Sequence, residues 1–297
     1  MSYRGLFAGL TTIDIQYFVD RFPGSNQKIK TNPPDILVGG PATNAAIAFS
    51  LLNGEANLFS VTGSNAFSQF VNLDFIKNNI NHLDLADSAE CEPVLASVIT
   101  STNNGDRNVF TNHPASVTST VQVFKLFEAL NPHILLLDGY YPEFVLEIAH
   151  IAKERRIPVV LDCGSWKSQY NQLLPTADVV ICSADFFPPG CENENNVVEF
   201  LHDNYGIRKL AISRGEKSLI YFSGGRRGEI PVEQIEIIDS LGAGDFLHGA
   251  FCYYWLTCGN NFIKALEHAV KLATFTCMYK GTRSWMNKFI SMNKVEK

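Results

Sequence analysis

Apolar residues follow two different patterns along this chain. From about residue 120 onward, short unbroken runs of Val, Ile and Leu recur, and such runs are typical of strands buried on both faces. The strands predicted from this pattern lie at 133–140, 158–164, 177–183, 209–215, 218–222 and 233–239. Stretches with helical spacing lie between or after them, at 121–130, 143–155, 196–205 and 261–279. The alternation predicts a mostly parallel sheet that is covered by helices.

The first third of the chain has a strand-rich pattern instead. Residues 6–10 form a short apolar run, and residues 13–20 alternate so that Asp14 falls on the wetter face of a half-exposed strand. Residues 94–112 are typical of a hairpin whose turn, at 103–106, has residues that tolerate positive φ. We expect these segments to form a small sheet outside the main body. The last residues, 287–297, are expected to be an exposed tail.

Composition narrows the class of protein. The chain has 297 residues, of which 46% are hydrophobic and 18% charged, so it can form one large α/β domain. The formal net charge is −6 and there is no long basic run. We therefore expect neither a nucleic acid nor an anionic membrane surface as a partner. A small phosphorylated ligand is still allowed, because backbone amides and Mg²⁺ neutralise phosphate locally.

The seven cysteines indicate a reducing compartment. Their number is odd and none shows C-x-x-C spacing, which argues against a disulfide framework or a zinc site. No apolar run reaches membrane-spanning length. We expect a soluble cytoplasmic protein.

One stretch near the C-terminus suggests phosphoryl transfer. Gly242, Ala243 and Gly244 stand at a predicted strand-to-helix turn, where successive amides converge on an anion. Asp245 follows them in the first helical turn, where it is suited to orient an alcohol and take its proton. The alternative is that Asp245 only caps the helix and the glycines only form the turn. His248, one turn later, is expected to be packed or hydrogen-bonded.

A second stretch suggests that a polyol binds. Gly39 and Gly40 precede a helix that starts near Pro41, and they allow a ligand to approach the backbone. Asn44 offers a donor and an acceptor to hydroxyl groups, and an ionised Asp14 accepts two hydroxyl hydrogen bonds. Each also has a structural interpretation, as a helix-start residue and as a solvated acid on a strand.

Taken together, these motifs resemble the ribokinase-like (phosphofructokinase B) family of ATP-dependent sugar and nucleoside kinases. The resemblance rests on Gly-Gly-x-x-x-Asn at 39–44, on Asp-Ser-Leu-Gly-Ala-Gly-Asp at 239–245, and on Asp14. It implies a three-layer α/β/α sandwich with a mostly parallel central sheet and a small β-sheet lid. The whole chain, 1–297, would be one kinase domain, with the lid formed by segments near 11–32 and 92–114. Exposed lid edges leave open a homodimer through the lid.

The resemblance also implies roles for individual residues. Asp245 would be the catalytic base, and the amides of residues 242–244 would form the anion hole. The acceptor, a sugar or polyol, would be bound by Asp14, Gly39, Gly40 and Asn44, and Arg107 would lie in the lid near substrate or phosphate. ATP would bind with Mg²⁺ near Ser183, Ser213 and Gly215, although Ser218 replaces the last glycine of the family's nucleotide loop. A monovalent cation beside Asp239 is a further option.

Two departures from the family pattern keep alternatives open. Many members have Asn-x-x-Glu after the fourth core strand, whereas this chain has Ser183-Ala184-Asp185-Phe186. The Gly-x-Asp that often follows the first helix is Gly63-Ser64-Asn65 here. We therefore expect an ATP-dependent sugar kinase with an altered metal network, and retain a nucleoside kinase and a non-catalytic ligand sensor as alternatives.

Overall fold

The computed structural model describes residues 2–86, 91–103, 107–114 and 123–295. They form two sheets and flanking helices. The strands are β1 (Arg4–Ala8), β2 (Thr12–Val19), β3 (Asp35–Gly39), β4 (Glu55–Ser60), β5 (Ile80–Asp84), β6 (Val94–Ser101), β7 (Arg107–Thr111), β8 (Ile134–Leu137), β9 (Val159–Cys163), β10 (Val179–Ser183), β11 (Lys209–Arg214), β12 (Lys217–Ser223) and β13 (Arg226–Ile230). The helices are α1 (Pro41–Leu51), α2 (Ala66–Lys77), α3 (Val123–Leu130), α4 (Pro142–Glu154), α5 (Tyr170–Leu173), α6 (Glu194–Tyr205), α7 (Ala243–Thr257), α8 (Phe262–Thr276) and α9 (Ser284–Val295).

The large sheet has the strand order β13-β12-β11-β10-β9-β8-β1-β4-β5. Strands β5 to β11 in this order are parallel, and β12 and β13 add an antiparallel edge. Side chains on each strand alternate between two hydrophobic clusters, because successive residues point to opposite faces. On β1, Phe7 packs with α1, α7 and α8, while Leu6 packs with α3, α4 and α6. This is the expected α/β/α sandwich.

The predicted strand at 233–239 is wrong. No strand is assigned between β13 and α7, and the side chains of Ile237 and Ile238 are 47% and 54% exposed. The backbone N–H groups of Ile238 and Asp239 both donate to the Cys277 carbonyl, at 2.9 and 3.2 Å, and not to a neighbouring strand. β-Branched residues favour a strand only where a half-buried pleated surface is available to them. Here α7 therefore follows a loop.

The predicted tail at 287–297 is helical, although most residues of it whose side chains are described are exposed, as expected. Helix α9 runs from Ser284 to Val295, over most of the segment 287–297. It is anchored by Trp285, which is fully buried and packs against Phe246 of α7 with ring centroids 5.0 Å apart. Trp285, just before the segment, thus fixes the position of a stretch whose own residues are mostly polar.

The small sheet has the order β3-β2-β6-β7. The expectation that residues 6–10 belong to this sheet is wrong, because β1 pairs in parallel with β4 and β8 in the large sheet. β2 pairs in parallel with β6, while β2–β3 and β6–β7 are antiparallel. The predicted hairpin is β6 and β7; residues 104–106 of its turn lie outside the described residues. The expectation that Asp14 is on a wet face is wrong, since Asp14 is only 6% exposed. Its face of β2 is turned toward the loop before α7, as the bond from Gln16 Nε2 to Asp239 Oδ2 (3.0 Å) shows. No described helix is long and apolar enough to cross a membrane.

Candidate active site

The chain turns into α7 at Gly242, whose φ is +76°. Residues other than glycine rarely adopt this backbone conformation. A Cβ at this position would also lie 3.1 Å from Asn44 Nδ2. The helix starts at Ala243, so residues 242–244 place unpaired or weakly paired amides at its positive end. The Ala243 N–H donates to the Ser240 carbonyl in a long bond of 3.3 Å. A Cβ on Gly244 would meet nothing within 4 Å, so this peptide is open to a ligand.

The two sequence motifs meet at one hydrogen bond. Asn44 lies in the first turn of α1 and is buried, and its Nδ2 donates to Asp245 Oδ2 at 2.9 Å. α1 can start here because Gly40 has φ +102°, and a Cβ on Gly40 would lie 2.2 Å from the Leu10 carbonyl oxygen. Residues 201 positions apart in the chain thereby become neighbours.

The environment of Asp245 favours its protonated form. Burial is the main cause that raises the pKa of this carboxyl to about 7, and the negative charges of Asp162 and Asp14 add to it. The hydrogen bond from Asn44 and the charge of His248 act in the opposite direction. The side chain is nevertheless partly exposed. A carboxylate that titrates near neutral pH and is open to a ligand is suited to accept a proton from an alcohol.

Asp14 lies directly against the Gly39 backbone. Its Oδ1 accepts a hydrogen bond from Thr12 Oγ1 at 2.7 Å, and a Cβ on Gly39 would lie 2.2 Å from Oδ2. Burial raises the pKa of Asp14, while the Thr12 bond and the charges of Arg283 and Arg107 lower it. The glycine at 39 thus leaves space for this carboxylate, which explains why the two features occur together.

Arg107 of β7 bridges the small sheet and the α7 loop. Its Nη1 donates to Ser240 Oγ at 3.2 Å, and its side chain is exposed. Arg107 is the register partner of Thr100, whose Oγ1 accepts from Gln16 Nε2 at 3.2 Å, so it lies on the face of the small sheet that carries Gln16 and Asp14.

The residues predicted to bind nucleotide lie at neighbouring strand ends. Ser183 and Ser213 are register partners at the carboxyl ends of β10 and β11, and Gly215 forms the turn to β12 with φ +62°. Ser183 Oγ donates to the Gly164 carbonyl, and Ser213 Oγ donates to the Cys182 carbonyl at 3.3 Å. Their binding of ATP stays a prediction. In open α/β sheets, ligands bind beside the carboxyl ends of the parallel strands. Helix α7 also contacts β10, since His248 Nε2 lies 3.2 Å from the Ile181 carbonyl.

The missing Glu has a structural counterpart. Phe186, at the position of that Glu, is 1% exposed and packs against Trp166 and Tyr170 with ring centroids 5.6 Å apart in both cases. A carboxylate here would be buried against these two aromatic rings. Within the described ranges, no group of three or more His, Cys, Asp and Glu side chains is arranged to hold a metal ion.

Sequence reasoning missed Asp138, whose carboxylate binds backbone N–H groups next to the Gly39–Gly40 turn. Its Oδ2 accepts from the backbone N–H groups of Leu10 (2.8 Å) and Ala42 (3.2 Å), so it ties the end of β1 to the start of α1. Burial raises its pKa to about 6. The available signal was an acid at the end of the apolar run 133–140.

Arg283 was also missed, and nothing in its local sequence marks it. It lies between α8 and α9 with a side chain only 16% exposed, and it forms an ion pair with Asp74 of α2 at 3.0 Å. Its Nη1 donates to Asn44 Oδ1 at 3.0 Å. His248, as expected, is buried and hydrogen-bonded: its Nδ1 lies 2.6 Å from the Gly244 carbonyl and its Nε2 3.2 Å from the Ile181 carbonyl.

Comparison with known proteins gives a consistent picture. Residues 6–288 match the model of the pfkB family carbohydrate kinases. Among curated proteins, a deoxyribokinase of Salmonella typhi is 21% identical, with 96% of this chain and 98% of the relative covered. A nucleoside kinase of Methanocaldococcus jannaschii is 26% identical, with 82% and 80% covered. Among solved structures, an Arabidopsis thaliana ribokinase complexed with ribose and ATP superposes with a TM-score of 0.71 at 18% identity, with 97% and 98% covered.

Proposed function

Because this chain belongs to the pfkB family of carbohydrate kinases, we propose that it transfers the γ-phosphoryl group of ATP to a hydroxyl group of a sugar or sugar-like molecule. The observation that carries the proposal is the hydrogen bond between Asn44 and Asp245. This bond joins Asp245, a partly exposed carboxylate whose pKa is about 7, to α1. The Gly39–Gly40 turn that precedes α1 allows a ligand to approach the backbone. Family membership alone does not place these groups in one site.

Asp245 is proposed as the base for the transfer. The acceptor oxygen attacks the γ-phosphorus as the bond from that phosphorus to the bridging β-γ oxygen breaks and ADP leaves. The hydroxyl proton passes to Asp245 late in this step. The N–H groups of residues 242–244 donate to the oxygens of the transferred group and stabilise their charge at the positive end of α7.

The acceptor is proposed to bind between α1 and the small sheet. Asp14 accepts hydrogen bonds from adjacent hydroxyl groups, and the Gly39–Gly40 backbone allows the sugar to approach closely. The small sheet then acts as the lid, and Arg107 keeps it near the α7 loop through Ser240. Exclusion of water by this sheet would favour transfer to the sugar over hydrolysis of ATP.

ATP is proposed to lie along the carboxyl ends of β10 and β11, near Ser183, Ser213 and Gly215. Magnesium, when bound with ATP, neutralises phosphate charge, and it is normally held by phosphate oxygens and water together with one or two carboxylates. The exposed Asp185 fits such a limited contribution, whereas the buried Phe186 does not. We therefore propose a metal held mainly through the nucleotide.

Two further expectations stay predictions. A monovalent cation beside Asp239 would compete with donors already present, since Oδ2 of this residue accepts from Gln16 Nε2 and from the Gly281 N–H (2.9 Å). A homodimer through the lid is supported by the edge strand β7, where the apolar side chains of Val109 and Phe110 are 50% and 65% exposed.

A nucleoside acceptor is the second candidate. The relative from Methanocaldococcus jannaschii is named a nucleoside kinase, and a nucleoside presents the same ribose hydroxyls to Asp14 and Asn44. The chemistry at Asp245 is the same for both acceptors, so the difference lies in what the pocket accommodates beyond the ring.

The deciding experiment is an acceptor screen with Mg·ATP, in which ADP release and the phosphorylated product are both measured. Pentoses, deoxypentoses, ketohexoses, polyols and nucleosides are tested in parallel, with Asp245→Asn as the control for contaminating kinases. We expect the wild-type protein to phosphorylate one class of acceptor that Asp245→Asn does not phosphorylate. A screen in which no acceptor is phosphorylated, although each ligand class is tested at high concentration, contradicts the proposal and favours a sensor.

A further inference from the structure

Arg283 is a mostly buried cation, and the acid that it contacts, Asp74, is also mostly buried. Its Nε and Nη2 donate to the carboxylate of Asp74, at 3.2 and 3.0 Å to Oδ2. Nη2 also donates to the Val38 carbonyl at 2.8 Å, and Nη1 donates to the Thr282 carbonyl and to Asn44 Oδ1, both at 3.0 Å. All three nitrogens of the guanidinium are therefore engaged, so the group is not available to bind a substrate anion.

These contacts decide which way the Asn44 amide points. A guanidinium can only donate hydrogen bonds, so the atom of Asn44 that faces it has to be the oxygen. The NH₂ group of Asn44 then faces Asp245, where it donates at 2.9 Å. Without Arg283, only Asp245 among the described residues orients the amide, and a protonated Asp245 can donate to the amide oxygen as well as accept from the NH₂ group.

We propose that Arg283 is a positioning residue for phosphoryl transfer, which acts through the orientation of Asn44 on the carboxylate of Asp245. This inference rests on the proposed role of Asp245 as the base. It adds a residue from the loop between α8 and α9 to a site otherwise formed by α1, β2 and α7. The simpler explanation is that the Arg283–Asp74 ion pair only fastens this loop to α2.

Other charged groups also act on Asp245. Asp162 of β9, Asp14 of β2 and His248 of α7 influence its pKa directly, while Arg283 and Arg107 of β7 act on Asp14. Arg283→Gln leaves all of these except its own charge in place. Loss of the hydrogen bond that Asn44 donates should raise the pKa of Asp245.

The test compares Arg283→Gln with Asp74→Asn, which breaks the same ion pair but keeps the contact between Arg283 and Asn44. We expect Arg283→Gln to lower kcat at pH 7 by roughly tenfold and to shift the acid limb of the kcat profile upward by about one pH unit. Asp74→Asn should lose comparable stability in urea unfolding but less than threefold in kcat. Arg4→Gln is the control: Arg4 Nε donates to the Asn131 carbonyl at the opposite end of β1.

A double-mutant cycle separates action through Asn44 from a general effect. Asn44→Ala already removes the bond to Asp245, so adding Arg283→Gln should cause little further loss of kcat. Additive losses, or equal kcat for Arg283→Gln and Asp74→Asn, would overturn the inference. Should Arg283→Gln not fold, Arg283→Lys keeps the charge but lacks the planar fork that serves Asn44 and Asp74 together.

A readout without turnover keeps the two proposals distinct. The pKa of Asp245 can be followed by carboxylate infrared difference spectra, with Asp245→Asn as the reference that identifies its band. An upward shift of this pKa in Arg283→Gln supports the action of Arg283 on Asp245 through Asn44, whatever the acceptor screen shows. An active wild-type enzyme whose Asp245 has the same pKa in Arg283→Gln contradicts the inference and leaves the proposed function intact.

Discussion

Replacing Asp245 by Asn should stabilise the protein while it abolishes most of the activity. Burial and the charge of Asp162 raise the pKa of this carboxyl from its ordinary 3.8 to about 7, which corresponds to about 4 kcal/mol of unfavourable free energy for the ionised form. Asn has nearly the same shape, and its Oδ1 can still accept the hydrogen bond from Asn44. The substitution therefore removes a charge that is costly in the folded state.

The sign of the pH dependence follows from proton binding. Between about pH 4 and pH 7 the folded protein holds a proton on Asp245 that the unfolded chain has released, so wild-type stability falls as the pH rises through this window. Above about pH 7 both states are ionised and the loss is complete. The advantage of Asp245→Asn in free energy of unfolding should thus grow by about 2–3 kcal/mol between pH 5 and pH 8.

The assay is urea unfolding at several pH values between 5 and 8, followed by circular dichroism and tryptophan fluorescence. Glu147→Gln is the matched control, since it neutralises an exposed carboxylate on α4, on the opposite face of the large sheet. In parallel, the rate of phosphoryl transfer in Asp245→Asn should fall by about 10²–10⁴-fold, the usual contribution of a general base.

Two results would refute this reasoning. If Asp245→Asn retained turnover within a few-fold of the wild type, Asp245 would not be the base. If its stability relative to wild type were the same at pH 5 and pH 8, the carboxylate would not be desolvated in the way its surroundings imply. The two readouts are independent, so either part of the argument can fail without the other.

Three further substitutions test the acceptor side of the site by steady-state kinetics and by calorimetric titration of acceptor and ATP. Gly39→Ala places a Cβ 2.2 Å from Asp14 Oδ2, so the carboxylate has to move. KM for the acceptor should rise at least about tenfold, which corresponds to the loss of one good hydrogen bond to a charged group, while ATP binding stays unchanged. An unaltered acceptor KM would argue against the placement of Asp14. Asp14→Asn should raise the acceptor KM by a similar factor and lower kcat less, and a loss confined to kcat would instead indicate a role in the chemical step. Arg107→Gln removes the bond to Ser240 and should raise the acceptor KM by about threefold, as expected for an exposed contact; a change in stability without any change in KM would mean that Arg107 only supports the small sheet.

The sequence was sufficient for strands β8 to β12 of the main sheet. The centres of such runs, 134–137 and 179–182, are apolar at every position, as is typical of strands covered on both faces. The pattern did not predict β4, β5 and β13, and it grouped β1 with the small sheet. The pattern failed at 233–239, where the same β-branched composition lies in a loop with exposed Ile237 and Ile238. It failed there because a strand also needs a partner edge, and the neighbouring N–H groups bond to Cys277 instead.

Residue chemistry in the sequence named Asp14, Asn44 and Asp245 as candidates, because carboxylate and amide groups can bind hydroxyl groups. It left a structural interpretation open for each residue, and the resemblance to the family joined the three. Local pattern misplaced Asp14 on a wet face, since periodicity reports which side of a strand is more polar and not what covers that side. The burial that raises the pKa of Asp14 comes from the whole surrounding fold and not from its own strand.

The sequence by itself thus determined the kind of fold and the kinds of groups available for the chemistry. Tertiary structure alone decided that Asn44 and Asp245 share a hydrogen bond across 201 residues, and that Arg283 orients Asn44 across 239. The physical reason is that hydrophobic periodicity is a local property of the chain. The direction of a hydrogen bond and the desolvation of a carboxylate depend instead on atoms from distant segments.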